Sequence, residues 1–175
     1  NRDLVWVLRD WRLARDASIV NDFGDRMEVT MAGRIGNVVT INGHVPEKIS
    51  VLAGERLRLR LINAAPARIF GLEFRDLRPL IVALDGQPVE PREPSDNRVV
   101  LGPAMRADVL LDMSGTPGAT ASVVDTFYRD FYKLVELEYG KEPLLRAQPL
   151  HAPSRIRSNT MPEPDIDNAE KHTAV

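Results

Sequence analysis

The reactive side chains of this 175-residue sequence are few, and their spacing limits what they could do. Its three histidines, His44, His151 and His172, each stand alone, with no His-x-His pair anywhere. His44 falls in the Asn42-Gly43-His44-Val45-Pro46 loop and reads as a solvent-exposed residue; the other two fall in a proline-rich tail. There is no cysteine, which removes disulfide frameworks, thiol nucleophiles, zinc ribbons, iron–sulfur clusters and any metal centre that depends on a thiolate. The methionines (Met27, Met31, Met105, Met113 and Met161) are too scattered for a metal relay, and Met27 and Met31 read as strand packing. Asp85 and Asp125 sit near turns, where carboxylates can converge for general acid–base work, but no spacing joins them, and Asp85-Gly86 reads as turn chemistry. Ser114-Gly115 lacks the Gly-x-Ser-x-Gly frame of a nucleophile elbow. Gly33-Arg34-Ile35-Gly36 lacks both the spacing and the Lys-Ser/Thr pair of a phosphate loop. The expectation is therefore no catalytic, no cofactor-binding and no metal-ligating residue in this chain.

The elements that would position such groups are strands. Arg56-Leu57-Arg58-Leu59-Arg60-Leu61 alternates basic and apolar residues without a break, which puts three leucines on one face and three arginines on the other. That is a strand with one dry and one wet side. Upstream, residues 38–41 form a β-branched run ending at Asn42-Gly43, a pair suited to positive φ. Ile49-Ser50-Val51 is a further short strand; Asn63-Ala64-Ala65-Pro66 interrupts pairing before residues 69–74 resume it. Residues 4–8 (LVWVL) read as a buried strand, with Trp6 and Trp11 as core or sheet cover. Residues 80–84 (LIVAL) suit a strand covered on both faces, while Pro88, Pro91 and Pro94 predict an extended loop over residues 87–95. Strands are also expected over residues 99–101, 107–113, 121–125 and 133–139. Within residues 12–37, a short strand over 27–31 and a helical turn over 16–20 are expected.

About nine short strands with no long helix make an all-β, predominantly antiparallel sandwich or barrel with Greek-key connections. Leu57, Leu59, Leu61, Val82, Leu84, Val109 and Leu111 are its expected core. Pattern alone leaves an immunoglobulin-like sandwich equally acceptable. Residues 1–140 form the sandwich; residues 141–175, punctuated by Pro143, Pro149, Pro153, Pro162 and Pro164, read as an extended linker or strap without a second core. A content of 43% hydrophobic and 27% charged residues suits one good core, and a net charge of -2 argues for no particular polyanionic or membrane partner, so neither nucleic acid nor a membrane is expected as one. The arginine face (Arg56, Arg58, Arg60) reads as solvated or inter-domain. The start at Asn1 suggests a processed chain or an excised piece.

Three blocks in order, "TINGHVPEKISVLAGERLRLRLINAAPARIFGLEF", "LIVALDGQPVEP" and "VVLGPAMRADVLLDM", carry a resemblance covering residues 38–113. They resemble the second (middle) cupredoxin domain of bacterial three-domain multicopper oxidases of the laccase-like family. The resemblance implies a cupredoxin-like Greek-key β-sandwich, flanked by cupredoxin domains of the same parent chain and exported to the periplasm or secreted. The closing "AEKHTAV" resembles the first strand of a third domain. In copper-bearing domains of the family, one histidine motif opens the strand equivalent to residues 67–72, and the remaining ligands fall near residues 125–131. Neither segment here holds a histidine, cysteine or methionine. The resemblance thus implies a copper-free structural middle domain, with copper elsewhere in the parent. Such a parent would couple one-electron substrate oxidation to reduction of dioxygen to water. The alternative is a domain of a copper-less scaffold or assembly protein of the same fold.

Overall fold

The alternation at residues 56–61 is realised as strand β4 (Arg56–Asn63), whose leucines are buried while its arginines lie half-exposed on the opposite face. The computed structural model describes residues 1–46, 48–148, 156–157, 160–162 and 164–172. Around β4 lie β1 (Arg2–Trp11), β2 (Val38–Ile41), β6 (Pro79–Leu84), β7 (Gln87–Arg92) and β9 (Arg106–Asp112), in a sheet of order β2-β1-β4-β9-β6-β7. A second sheet joins β3 (Lys48–Val51), β5 (Phe70–Arg75), β8 (Arg98–Leu101), β10 (Thr120–Asp125) and β11 (Tyr132–Tyr139) in the order β3-β11-β10-β5-β8. The pairs β1·β4 and β3·β11 are parallel and the rest antiparallel, so both sheets are mixed within a mainly antiparallel sandwich.

The core lies between the sheets. Trp6 and Leu8 of β1, the β4 leucines, and Val109 and Leu111 of β9 face Phe70, Leu72 and Phe74 of β5, Val123 of β10 and Leu134 and Leu137 of β11. Each such side chain contributes about 1.5–3 kcal/mol of burial. On the outer face the register sets Arg56 opposite Asp112 and Arg60 opposite Asp108. Arg56 grips Asp112 through two hydrogen bonds of 2.7 and 2.6 Å, Arg58 pairs with Asp108, and Arg60 reaches Asp3 on the parallel neighbour. The Arg60 hydrogen bond holds the Asp3 carboxyl below the usual carboxylate range. These arginines therefore have carboxylate partners on neighbouring strands, each pair worth at most about 1 kcal/mol at such exposure.

Asn42-Gly43 and Asp85-Gly86 both turn with two successive positive φ values, 52° and 82° for the first and 47° and 83° for the second. Several expectations need correction. Residues 87–92 form a strand, not a loop: β7 is at the sheet edge and pairs only with β6, so Pro88 and Pro91 forfeit no ladder on the free side. Residues 28–32 form a wide helical turn rather than a strand, closed by the Gly33 N–H donating to the Glu28 carbonyl at 3.0 Å. Met27 and Met31 consequently point outward instead of packing on a sheet. In place of a helical turn over 16–20, an antiparallel bridge of Leu13 with Ile19 closes a tight loop in which Asp16 Oδ1 accepts from the Ser18 hydroxyl. A register shift between Ile81 and Ala83 changes which faces the side chains of β6 occupy. Val82 is buried outside the main cluster, and Leu84 packs only at the core margin.

Of the tail, the Leu145 N–H donates to the Ala53 carbonyl and Arg146 Nε to the Gly54 carbonyl, both at 2.9 Å, which straps this stretch across the β3–β4 turn. His151 lies outside the described residues. No helix among the described residues is long and apolar enough to cross a membrane.

Candidate functional site

The end of the sandwich where β10 runs out and β5 begins holds two buried carboxylates, Asp10 and Asp125, with the Arg68 guanidinium between elements. Asn63, the last residue of β4, is fully buried. Its side-chain amide donates to the carbonyls of Arg68 (2.8 Å) and Leu101 (2.9 Å), and its carbonyl oxygen accepts from the Ala65 N–H. The 63–69 loop is thereby folded back so that Arg68 enters the pole of the sandwich. There its Nη2 donates to Asp125 Oδ2 at 3.0 Å, with the carboxylate almost wholly buried and the guanidinium nearly so.

Asp125 is committed on all sides. Its Oδ1 accepts from the backbone N–H of Gly71 (3.0 Å) and of Phe127 (3.2 Å), and Oδ2 from Arg68. A carboxylate so engaged, and 2% exposed, has no free lone pair reaching solvent and serves as a structural anchor, not as a general base. Asp85 is far from it in role: it occupies the β6–β7 turn, where Oδ1 accepts from the Arg106 N–H at 2.8 Å. The two carboxylates are not brought together.

Aromatic groups complete the pole. The Arg68 guanidinium lies 5.0 Å from the Tyr128 ring and 5.5 Å from the Phe70 ring, within cation–π range. Tyr128 also accepts from the Ile69 N–H at 3.2 Å and meets Phe127 edge-on at 5.1 Å. A Cβ at Gly71 would come 3.1 Å from the Phe127 nitrogen, so a larger residue there would have to push the Phe127 backbone aside by a few tenths of an ångström. On the other flank, the Gly36 N–H donates to Asp10 Oδ2 and the Gly36 carbonyl accepts from Arg68 Nη1 at 3.5 Å. Among the described residues, Asp10 Oδ1 and Arg68 Nε are buried without a hydrogen-bond partner.

Residues 67–72 and 125–131, the segments to which the resemblance assigns the copper ligands of metal-bearing domains, meet at this pole. The donor set does not fit copper: residues 67–72 and 125–131 offer no imidazole or thiolate, and a guanidinium, which cannot give up its proton, lies between them. Among the described residues, no group of three or more histidine, cysteine, aspartate or glutamate side chains is placed to hold a metal ion. His44 is exposed at the end of β2, and His172 is exposed in the tail. Asp10 was legible from its parity with Trp6 and Leu8 on β1, which turns it toward the core; Arg68 left no such signal.

Two sheets packed face to face, with the eleven strands of the described residues in this order, define a cupredoxin-like β-sandwich domain. The sequence profile of the multicopper oxidases matches residues 2–131, and the chain belongs to that family. It is 35% identical over 139 residues to the cell division protein FtsP of Escherichia coli K12, a match covering 75% of this chain and 28% of the relative. With FtsP of Edwardsiella tarda the identity is 30% over 180 residues, covering 95% and 36%. Among solved structures it superposes on the multicopper oxidase of Pseudomonas thermotolerans with a TM-score of 0.81 and 25% identity, covering 97% of this chain and 39% of that one. On the Pseudomonas parafulva multicopper oxidase the TM-score is 0.78 and the identity 27%, with the same coverage. The chain thus spans roughly a third of the length of these relatives, the extent of one domain in a multi-domain protein.

Proposed function

We propose that this chain is the copper-free, structural middle domain of a three-domain multicopper-oxidase-type protein, exported to the periplasm or secreted. Residues 1–140 would be the sandwich and residues 141–175 the linker toward a following domain. The observation that carries the reading is the Arg68–Asp125 pair, which fills the copper pole with a cation and its counter-ion. The role that follows is mechanical: the domain sets the spacing and orientation of its neighbours and walls part of the substrate entry. No catalytic, cofactor-binding or metal-ligating residue is assigned to it. The parent would hold copper in the flanking cupredoxin domains and pass electrons from a reducing substrate to dioxygen, forming water.

A second reading has its own support, because the curated relatives at 30–35% identity are cell division proteins. In that reading the parent is a copper-less scaffold of the same architecture. Purifying the full-length parent after growth with copper, and measuring its copper content and dioxygen uptake with a phenol, separates the two. Bound copper with turnover supports the oxidase; no copper and no uptake supports the scaffold. Stoichiometric copper held by residues 1–175 themselves would overturn both.

A further inference from the structure

The helical turn Glu28–Ala32 is built inside out. Its charged residue faces the protein: Glu28 is mostly buried and ion-paired with Arg12 and, at 3.5 Å, with Arg34. Its apolar residues face away, with Met27, Val29 and Met31 exposed to 63%, 74% and 73%. A turn on a free surface shows the reverse pattern. Just upstream, Ile19 and Phe23 are exposed to 57% and 67%, so five large apolar side chains crowd one loop. Large apolar side chains exposed together in one short loop mark an interaction site.

The same loop borders a cavity of about 210 Å³ between Asp10, Trp11, Ile19, Phe23, Gly36 and Pro66. Asp10, 5% exposed, has one carboxylate oxygen without any donor among the described residues. Of the arginines around the cavity, Arg12 pairs with Asp22 at 3.0 Å and Arg34 with Asp22 at 2.5 Å, Arg34 also stacks over the Phe23 ring at 4.2 Å, and Arg9 stacks over the Trp11 ring at 4.3 Å. The exposed side chains of the loop itself, Ile19, Phe23, Met27, Val29 and Met31, set what an occupant must match. It needs apolar side chains that cover this face.

We infer that this face, from Ile19 to Met31 with the cavity beside Trp11, docks an adjoining domain of the same polypeptide through a predominantly apolar surface. The inference rests on the multi-domain reading above, and the share of each relative's length that lies outside this chain supplies the occupant. With that domain in place the turn is right side out: the apolar side is covered and Glu28 stays within its ion pairs.

The test is residue-resolved oxidation by dilute hydrogen peroxide in the full-length polypeptide, followed by mass spectrometry. Met27 and Met31 are expected to oxidise about tenfold or more slowly than a methionine in a free peptide, since sulfoxide formation follows exposure. Val29→Glu places a charge on the outward side, where it touches no core group of this domain. It should restore near-free rates at Met27 and Met31 while Trp6 keeps its buried fluorescence. Free-peptide rates in the unmutated full-length protein would overturn the inference and leave the copper-free domain reading standing. Protection that grows with protein concentration, together with a dimer in sedimentation, would assign the face to a second copy and equally overturn it. A gene encoding no further domain would instead remove the multi-domain reading itself.

Discussion

Asp125→Asn removes the charge from the centre of the closed pole with little change of shape. The asparagine carbonyl can still accept from the Gly71 and Phe127 N–H groups, so those two hydrogen bonds survive. What is lost is the Arg68 contact: an amide NH2 then faces a guanidinium, donor against donor, at a site where Asp125 is 2% exposed. Leaving one partner of a buried pair uncompensated costs about 3–5 kcal/mol, and the slight solvent access of Arg68 favours the lower end, about 3 kcal/mol. For a domain of this size that is a fall of roughly 6–12 °C in Tm, resolvable by urea titration of Trp6 fluorescence together with a thermal scan. Adding Arg68→Met removes the stranded cation, and the double variant should recover at least half of the loss, because the two residues act as one unit. An Asp125→Asn protein within about 1 kcal/mol of the parent would refute the assignment of this pair as the clasp of the pole.

Leu59→Ala, at the centre of the dry face of β4, should cost about 2–5 kcal/mol, whereas Arg58→Ala on the wet face should cost under about 1; equilibrium unfolding of the two variants checks the difference. Burial pushes the Tyr139 hydroxyl up, helped by the charges of Asp76 and Glu55. A raised folded-state value means that its stability contribution is complete below the ordinary tyrosine value of about 10 and is lost as pH rises through the folded value. Its tyrosinate absorbance should therefore appear only above that range, together with weakening of the fold; ionisation of Tyr139 at its ordinary value in intact protein would contradict this.

Much of the fold could be read directly because β4 alternates perfectly, and its leucines occupy the face that the pattern assigns them. The residues that misled did so because their placement is tertiary. Pro88 and Pro91 forbid a central strand but not an edge strand, and edge position cannot be seen in a local window. Residues 27–31 combine β-favouring valine and threonine with two methionines, yet Asp25 and Glu28 carry the Asp-x-x-Glu spacing of a helix start, and Asp25 Oδ1 does accept from the Met27 N–H at 2.9 Å. The apolar character of that segment is spent on an outward face, so periodicity pointed to packing within the domain. The parallel pairing of β1 with β4 joins strands some fifty residues apart in the chain, beyond any local signal. At the pole, the vacancy of histidine and cysteine was plain in the sequence. Its replacement by Arg68 was not, since that residue sits between Ala67 and Ile69 as any loop arginine might, and only the buried Asn63 side chain turns the loop inward.

Whether the pole takes copper is answered most directly by titrating Cu(II) into the 15N-labelled chain and following paramagnetic broadening residue by residue. The closed pole predicts that the amide signals of Gly71, Thr126 and Phe127 stay sharp through one equivalent, with any broadening confined to exposed imidazoles such as His44. Selective loss of the Gly71 and Phe127 signals at one equivalent, with tightly held metal after dialysis, would place copper against Asp125 and contradict the account.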